Sequence, residues 1–272
     1  MQKDILRASA FWVLAALVWT APPARAAECG ESSEGFRAWL DDFRQVAIND
    51  GVSPDVVEQT LATASFNRSV LAHDQGQGAL QGNYGSFAAG HITPARIKHG
   101  KTMMLAYAEP LERIEQRFGV AAPVLVAIWG LETDFGASLG RYPTFSALAT
   151  LAYDCRRGNL YRAELVDAMM IVQRGLLSPQ QMRGAWAGEL GQTQSMPSAY
   201  IKYGVSANGG RGNLMANGAD ALASTANFLS QHGWQRGAGW NEGEPNFPVL
   251  LEWNNAPVYA KTIAEFADRL AK

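Results

Sequence analysis

The stretch with the clearest potential for chemistry is residues 122–136, APVLVAIWGLETDFG, in which one carboxylate follows an apolar run. Leu125, Ile128 and Glu132 are three and four residues apart, so an α-helix would place the Glu132 carboxyl on a stripe of buried aliphatic side chains. Apolar surroundings and the negative end of the helix dipole both favour the protonated form and so raise the pKa of this carboxyl. A carboxyl that keeps its proton near neutral pH is suited to general acid catalysis.

The helix that would position this carboxyl has recognisable ends. Pro123 suits the first helical turn, and Phe135 and Gly136 are expected to end the helix. A structural role is also open, because a glutamate at a helix end can turn to solvent or pair with Arg141. Perturbed carboxylates mark functional sites only statistically, so this stretch alone leaves both roles open.

A second polar segment, WAGELGQTQSMPSAY, covers residues 186–200. Its glycines interrupt a helical pattern, and the amides of Gln192 and Gln194 and the hydroxyl of Thr193 are hydrogen-bonding groups. Such a segment is typical of one wall of a polar binding groove, although an ordinary helix-turn-helix connection has the same pattern.

Residues 1–26 have the features of a secretory signal: Lys3 and Arg7 precede an apolar run, and Ala24-Arg25-Ala26 offers a cleavage site. Removal of this segment would leave about 246 residues and change the formal charge from −2 to −4, because three cations and one carboxylate are lost. The mature chain is expected to be soluble in the periplasm. No basic stripe is present, which argues against a nucleic-acid partner.

The only cysteines are Cys29 and Cys155. In an exported chain, two thiols far apart in sequence most simply form one disulfide, and the alternative is two separate buried thiols. No His/Cys cluster has metal-ligand spacing, so the sequence predicts neither a metal site nor any other cofactor. Eight Trp and eight Tyr in a chain with 18% charged residues fit a groove for an uncharged polymer, although core packing accounts for most aromatic residues.

Hydrophobic periodicity predicts a mainly α protein. An irregular connection is expected over residues 65–92, and 247–253 is the only strand-like run. A kink is expected at Pro110. Helices are predicted over residues 33–49, 54–64, 93–118, 122–136, 143–155, 160–174, 220–232 and 262–270, with further helices beginning at Pro179 and Pro197.

Several motifs in fixed order resemble the lytic murein transglycosylases of the membrane-bound transglycosylase B family. They are WGLETDFG, then ALATLAYDCRR, then GQTQSMPSAY, then DALASTANFL. The similarity extends from FRAWLDDF to the terminal EWNNAPVYAKTIAEFADRLA. It implies a mainly α fold with a lysozyme-like catalytic core over 119–235, an additional helical lobe over 27–118, and a segment over 236–272 that completes the groove and packs on the lobe.

The resemblance also implies a function. The family cleaves the MurNAc–GlcNAc β-1,4 bond of peptidoglycan without water and forms 1,6-anhydro-MurNAc ends. The resemblance implies that Glu132 is the single catalytic residue, which acts first as the acid and then as the base. The residues matching the family's substrate groove are Gln194, Asn254, Tyr259, Tyr200, Tyr203, Asn227 and Trp253. Glycan strands are the expected partner, the enzyme is expected to be a monomer, and proteins of cell-wall synthesis or remodelling are candidate partners.

Three positions depart from the family pattern. Ala185 and Phe228 stand where some members carry a serine and a tyrosine hydroxyl near the acid, and Ser195 stands where a large apolar or aromatic residue is common. Between Tyr203 and Asp220, where some relatives carry a calcium loop, no carboxylate occupies the expected ligand positions, which argues against calcium.

Two other functions remain open. Because the hydroxyls at positions 185 and 228 are missing, one alternative is a non-catalytic scaffold that binds peptidoglycan. A hydrolytic muramidase would need a second carboxylate. Asp134 is a poor candidate because a helix would point it away from Glu132, which leaves Glu189 as the candidate partner, with a surface or loop-bracing role as its alternative.

Overall fold

The computed structural model describes residues 29–76 and 84–272, so the predicted signal segment over 1–26 lies outside the described residues. Within the described ranges the chain forms thirteen α-helices, one short 3₁₀-helix and one two-stranded sheet, which confirms the mainly α class. The helices are α1 Phe36–Asn49, α2 Pro54–Leu61, α3 Arg68–Gly76, α4 Tyr84–His91, α5 Pro94–Ala106, α6 Ala108–Phe118, α7 Ala122–Thr133, α8 Thr144–Tyr153, α9 Gly158–Gln173, α10 Pro197–Tyr203, α11 Gly218–Gln231, α12 Phe247–Trp253 and α13 Pro257–Ala271.

The sheet is a single short antiparallel pair. Strand β1, Tyr142–Pro143, pairs with β2, Arg183–Gly184, so that Tyr142 lies opposite Gly184. The 3₁₀-helix Pro179–Gln181 precedes β2 and begins with a capping box at Ser178. This pairing fixes where the segment after β2 enters the groove described below.

Helix α7 is the central helix of one half of the molecule. Every residue from Val124 to Gly130 is buried, and the helix packs against α5, α6, α11 and α13. A helix that is apolar on all sides is stable only inside a core. The apolar cluster around it also takes in residues of α12 and α4.

A second apolar cluster joins α1, α2 and α3 to α8, α9 and α10. Its largest fully buried side chains include Trp39, Phe43 and Leu148. The two clusters do not coincide with the domain boundaries expected at residues 118 and 235, because the first helices of the chain pack with α8 to α10 rather than with α5 and α6. Those domain boundaries stay a prediction.

Three expectations about local structure were wrong. Residues 65–92 contain α3 and α4 instead of an irregular connection, and the run 247–253 is helix α12 rather than a strand. Pro248 lies in the first turn of α12, where its missing N–H costs no hydrogen bond. The long helix over 93–118 does not kink at Pro110 but breaks at Tyr107, and Pro110 then falls in the first turn of α6.

Two large aliphatic side chains, one on α1 and one on α9, are exposed. Val46 in α1 is 45% exposed, and Leu160 in α9 is 56% exposed. The buried face of α1 is carried by Phe36, Trp39 and Leu40 together with Phe43. Periodicity identified these helices correctly, but it did not settle how wide each buried face is.

The disulfide is confirmed. Cys29 and Cys155 are bonded, with their Cα atoms 5.0 Å apart, and they link the start of the described chain to the end of α8. The backbone N–H of Gly30 donates to the Tyr153 carbonyl at 2.9 Å, so the first described residues lie against α8.

In the part of the chain that the structure describes, no single helix is both long enough and apolar enough to cross a membrane. Helices α6 and α7 satisfy the length and composition criteria only as a pair, and the two are bent by 114°.

Candidate active site

The C-terminal end of α7 positions Glu132 in the last helical turn. The helix ends at Thr133, and Asp134 and Phe135 both take left-handed backbone conformations, with φ of 51° and 60°. Asp134 therefore leaves the helical path, and its carboxylate accepts from Arg96 Nε at 3.2 Å. The predicted helix end at 135–136 is two residues late, and Asp134 is engaged in an ion pair.

Two side chains attach this end of α7 to the segment 191–195. The Thr133 hydroxyl donates to the backbone carbonyl of Gln192 at 2.5 Å, and the Trp129 indole N–H donates to Gln192 Oε1 at 3.1 Å. The Gln192 amide in turn donates to the Met215 carbonyl at 3.3 Å. The predicted polar wall is therefore fixed to the helix that carries the carboxyl.

Two donors from the C-terminal part of the chain hold the Glu132 carboxyl. Trp253 Nε1 donates to Glu132 Oε1 at 3.1 Å, and the Tyr259 hydroxyl also donates to this carboxyl. The alternative partner Arg141 is engaged elsewhere, with its carbonyl accepting from Arg183 and its guanidinium 5.8 Å from the Tyr142 ring.

Burial is the main electrostatic influence on Glu132. It raises the pKa of the carboxyl from 4.5 to about 7, the hydrogen bonds from Trp253 and Tyr259 oppose that rise, and the charge of Glu189 adds to it. Burial also raises the pKa of the Tyr259 hydroxyl well above its usual value, and the charge of Glu132 adds to this effect. Tyr259 therefore remains a hydrogen-bond donor over the range in which Glu132 titrates.

Glu132 opens into a cavity of about 450 Å³. This volume is in the range of pockets that hold small molecules or sugar units. Its lining combines residues from both apolar clusters with carboxyl, amide and hydroxyl groups. The lining residues are Glu132, Ala185, Glu189, Gln194, Ser195, Met196, Ala199, Tyr203, Leu214, Ser224, Phe228, Glu252, Trp253 and Asn254.

The cavity brings together most of the site residues expected from the sequence. Gln194, Tyr203, Trp253 and Asn254 line it, and Tyr259 touches the Glu132 carboxyl. Gln194 has a left-handed backbone, with φ of 52°, and its amide donates to the carbonyls of residues 139 and 191. Its side-chain oxygen is thereby oriented by the protein.

Two expected groove residues, Tyr200 and Asn227, neither line the cavity nor bond to Glu132. The buried Tyr200 hydroxyl donates to the Gly212 carbonyl and accepts from the Leu214 N–H, both at 3.3 Å. The Asn227 amide donates to the Tyr203 carbonyl at 2.9 Å. Both contacts organise the wall behind the cavity, so the structure does not bring these two side chains into the groove.

The three departures from the family pattern all fall on the cavity surface. Ala185, Ser195 and Phe228 are lining residues. The Phe228 ring packs edge-on against Trp253, with ring centroids 5.3 Å apart, and so supports the indole that donates to the carboxyl. The position therefore contributes packing in place of a hydroxyl.

Glu189 belongs to the cavity wall rather than to the outer surface. Backbone N–H groups of Ala187 and of Glu189 itself donate to its carboxyl, while its Oε2 is buried without a hydrogen-bond partner. Burial raises the pKa of this carboxyl, and the charge of Glu164 adds to the rise. Glu252 also lines the cavity, although the sequence analysis did not identify it. Its position next to Trp253 is the one sequence feature that could have indicated it.

The loop between α10 and α11 is held by hydrogen bonds to one carboxylate. Asp220 Oδ1 accepts from the Ala207 N–H and Oδ2 from the Asn213 N–H, both at 2.9 Å. Over residues 29–76 and 84–272, no three His, Cys, Asp or Glu side chains are grouped so that they could hold a metal ion.

A family model described as a transglycosylase SLT domain matches residues 35–244. The chain belongs to the transglycosylase SLT domain family. Membrane-bound lytic murein transglycosylase B of Escherichia coli (strain K12) is 33% identical to this SLT-domain protein over 147 residues, which are 54% of this chain and 41% of that protein. The chain thus spans about two fifths of the length of this curated relative. The resemblance found in the sequence motifs is confirmed.

Solved structures confirm the fold class. SltB3 from Pseudomonas aeruginosa, determined in complex with NAG-NAM-pentapeptide and with NAG-anhNAM-pentapeptide, superposes with a TM-score of 0.82 at 26% identity, covering 87% of this chain and 79% of that one. Escherichia coli Slt35 in complex with calcium superposes with a TM-score of 0.77 at 24% identity, covering 85% and 92%. The SLT-domain protein therefore has the fold of these lytic transglycosylases.

Proposed function

We propose that this protein is a peptidoglycan lytic transglycosylase that cleaves the MurNAc–GlcNAc β-1,4 bond without water. The observation that carries the proposal is the Glu132 carboxyl, which faces a cavity and has a pKa raised to about 7. Such a group is available as an acid and as a base near neutral pH, which is the requirement for one residue that performs both steps.

The proposed reaction balances on one carboxyl. Glu132 first donates its proton to the glycosidic oxygen, and the bond from that oxygen to the MurNAc anomeric carbon breaks. The resulting carboxylate then takes the proton of the MurNAc C6 hydroxyl while that oxygen attacks the anomeric carbon. The products are a GlcNAc hydroxyl and a 1,6-anhydro-MurNAc end, and Glu132 has its proton back.

Trp253 and Tyr259 support the second half of this sequence. Both donate hydrogen bonds to the Glu132 carboxyl, and such bonds favour its charged form. They therefore stabilise the state that exists between the two proton transfers. Burial favours the neutral state that begins the cycle, so the two influences serve different steps.

The remaining site residues have proposed roles in holding the glycan. Gln194, Asn254 and Tyr203 offer amide and hydroxyl groups to sugar substituents inside the cavity, and Trp253 adds an aromatic face. Tyr200 and Asn227 act indirectly, through the backbone contacts that shape the wall. Complexes of SltB3 with NAG-NAM-pentapeptide and NAG-anhNAM-pentapeptide support a similar ligand here.

Hydrolysis is the second candidate function because Glu189 lines the same cavity as Glu132. In a two-carboxylate hydrolase, Glu189 would act as the partner and the product would be a reducing end. A peptidoglycan-binding scaffold is the third candidate, and it would form no product. We also propose that the protein acts on peptidoglycan after export to the periplasm, as a monomer, and that proteins of cell-wall synthesis or remodelling are candidate partners.

Mass spectrometry of digested peptidoglycan tests the proposal. The wild-type protein is expected to release fragments with 1,6-anhydro-MurNAc ends, each lighter by one water than the hydrolysed form. Glu132→Gln keeps the side-chain shape but removes the acid, so it is expected to release none. Glu115→Gln, on an exposed position of α6, is the matched control and is expected to retain activity.

Two outcomes would overturn the proposal. Reducing ends in place of anhydro ends would assign a hydrolase, with Glu189 as the partner. Binding of glycan without any product would assign a scaffold. Folding of Glu132→Gln, checked by circular dichroism, separates a chemical loss from a structural one.

A further inference from the structure

Two of the four histidines in the chain stand four residues after a phenylalanine, in FAAGH, which ends at His91, and in FLSQH, which ends at His232. On an α-helix, side chains four residues apart are neighbours on one face. The His91 ring stacks on the Phe87 ring with the centroids 4.0 Å apart, and the His232 ring stacks on the Phe228 ring at 3.9 Å. The C-terminal ends of α4 and α11 therefore carry the same pair of rings.

A hydrogen bond holds each histidine in this position. His91 Nδ1 lies 2.7 Å from the carbonyl oxygen of Phe87, and His232 Nδ1 lies 2.7 Å from that of Phe228. A carbonyl oxygen can only accept, so Nδ1 carries the hydrogen in both rings. Histidines near the end of a helix can bond the last carbonyls of that helix in this way. Each imidazole is thus fixed by its own helix and covers one face of its phenylalanine ring.

The pair on α11 supports the indole donor of the site. Phe228 packs edge-on against Trp253 with the ring centroids 5.3 Å apart, and Trp253 Nε1 donates to Glu132 Oε1 at 3.1 Å. The second nitrogen of His232, Nε2, lies 3.5 Å from the hydroxyl of Tyr203, which lines the cavity. Because Nδ1 carries the hydrogen, Nε2 of the neutral ring accepts from that hydroxyl. His232 thus contacts two residues of the cavity wall from behind.

The pair on α4 supports the hydroxyl donor of the site. The Phe87 ring packs edge-on against the Tyr259 ring, with the centroids 6.3 Å apart. The Tyr259 hydroxyl is the second donor to the carboxyl at the end of α7. Arg96 donates to the backbone carbonyl of His91 at 2.7 Å and to the Asp134 carboxylate at 3.2 Å. The end of α4 is therefore tied to the end of the helix that carries the carboxyl.

We propose that His91 and His232 are positioning residues that act on Glu132 through the two aromatic donors. Each histidine limits the motion of one phenylalanine ring, and that ring limits the motion of one donor side chain. Two separate helices thereby fix the two hydrogen bonds that stabilise the carboxylate between the proton transfers. The inference rests on the proposed function, since the donors affect turnover only if Glu132 is the acid and the base.

The pKa of the Glu132 carboxyl reports on the two donors directly. The hydrogen bonds from Trp253 and Tyr259 lower it, while burial and the charge of Glu189 raise it. The carboxyl can be followed by NMR titration of protein with isotope-labelled glutamate side chains. Its signal is the one that is absent from Glu132→Gln. This measurement requires no substrate, so it tests the contacts separately from the reaction.

Replacement of each histidine by alanine tests the proposal. His91→Ala and His232→Ala are each expected to raise the pKa of Glu132 by about half a unit, less than the loss of a whole hydrogen bond, because the donor remains but is held less firmly. At a pH where Glu132 is protonated, kcat/KM is expected to fall about threefold, mainly through kcat, since half a unit is about a threefold change in the proton equilibrium. His73→Ala is the matched control. Its ring stacks on Trp186 at 6.0 Å, and its replacement is expected to leave the pKa unchanged.

Double variants separate positioning from charge. In Trp253→Phe the indole donor is absent, so the addition of His232→Ala is expected to give no further shift. The addition of His91→Ala is expected to give its full shift, because that histidine acts through the other donor. A histidine that acted through its own charge would shift the pKa of Glu132 in either background.

Several results would decide against the inference. An unchanged pKa in His91→Ala or in His232→Ala would overturn the role of that histidine. A shift from His232→Ala that persists in Trp253→Phe would overturn the proposed route through the indole. Lack of anhydro ends from the wild-type protein would overturn the proposed function, and the titration would still measure the contacts. If His232→Ala does not fold, His232→Asn, which keeps a donor for the Phe228 carbonyl and removes the ring, replaces it with the same expected shift.

Discussion

The Glu132 carboxyl is held between opposing influences. Burial raises its pKa, and hydrogen bonds from Trp253 and Tyr259 lower it, which leaves the pKa at about 7. Without burial the carboxyl would be ionised at neutral pH and would have no proton to donate, and without those donors it would give up its proton less readily in the first step. The proposed two-step chemistry depends on this balance.

Trp253→Phe tests the balance. The indole N–H of Trp253 favours the carboxylate form of Glu132. The change removes this donor, so the pKa of Glu132 is expected to rise. The first step needs the protonated carboxyl, so the falling limb of kcat/KM is expected to lie about one pH unit higher than in the wild-type protein. A shift of that size corresponds to the loss of one hydrogen bond to a charged group. The measurement is the pH profile of kcat/KM, whose falling limb in the wild-type protein is expected near pH 7.

Trp240→Phe is the matched control for that profile. The Trp240 indole donates to Asp268 Oδ1 at 3.0 Å, and Trp240 does not line the cavity. Its profile is expected to follow that of the wild-type protein. A limb that stays in place in Trp253→Phe, or moves to lower pH, would contradict the assigned role of the indole.

At the residue scale, the catalytic candidate could be predicted from the sequence, but the residues that contact it could not. Glu132 is predictable because its spacing from Leu125 and Ile128 is a local property of one helix. Trp253 lies 121 residues away, so its contact with Glu132 depends on tertiary packing, and only the family resemblance pointed to it. The unpartnered oxygen of Glu189 has no local signature for the same reason.

At the scale of elements, the junction between α7 and the segment 191–195 sets the shape of the site. Gly136 has a φ of +85°, and a Cβ at this position would lie 2.5 Å from Gln192 Oε1. That oxygen cannot easily move, because Gln192 is buried and bonded to Trp129 and Met215. The glycine is therefore required for the approach of the two elements.

Gly136→Ala is expected to lower both stability and activity. Left-handed backbone alone costs an alanine about 1 kcal/mol, and displacement of the Gln192 side chain adds roughly 1 to 2 kcal/mol. Gly51→Ala is the matched control, because Gly51 follows α1 with a φ of +92° and no atom lies within 4 Å of its added Cβ. Urea unfolding measures the difference.

The two variants separate strain from contact. Gly51→Ala is expected to show the backbone cost alone and to keep its kcat/KM. Equal losses of stability in both variants would show that the Gln192 contact contributes nothing. Retention of full activity by Gly136→Ala would show that the junction does not shape the cavity.

The elements that the sequence missed were those with weak local signals. Helix α3 buries only Val70, Leu71 and Asp74, and Asp74 is stabilised by arginines some eighty residues away. The run FPVLLEW has the apolar and β-branched character of a strand, but the packing of Phe247 and Leu250 into the core selects a helix. Long apolar helices such as α7 were predictable because composition and periodicity agree.

At the scale of the whole molecule, the Cys29–Cys155 disulfide closes a loop with a sequence separation of 126 residues. A cross-link over so long a loop mainly restricts the unfolded chain. Neither cysteine lines the cavity around Glu132. The disulfide is therefore expected to affect stability rather than chemistry.

Cys29→Ser/Cys155→Ser is expected to lower the free energy of unfolding by roughly 3 to 5 kcal/mol and to leave kcat/KM unchanged at low temperature. Urea unfolding of the double variant and of the wild-type protein, each with and without reductant, measures this. Reductant should lower the stability of the wild-type protein to that of the variant and have no effect on the variant. Equal midpoints in all four samples would contradict the assigned contribution.

The buried carboxyls of the site also couple folding to protons. Glu132, Glu164 and Glu189 all have raised pKa values, so the folded protein binds protons that the unfolded chain releases. Stability contributed in this way is complete below pH 4.5 and is lost as the pH rises through the folded values. For Glu132, a rise from 4.5 to about 7 corresponds to about 3 kcal/mol. The proton that Glu132 donates and recovers in the proposed reaction is one that the carboxyl retains near neutral pH because the protein is folded.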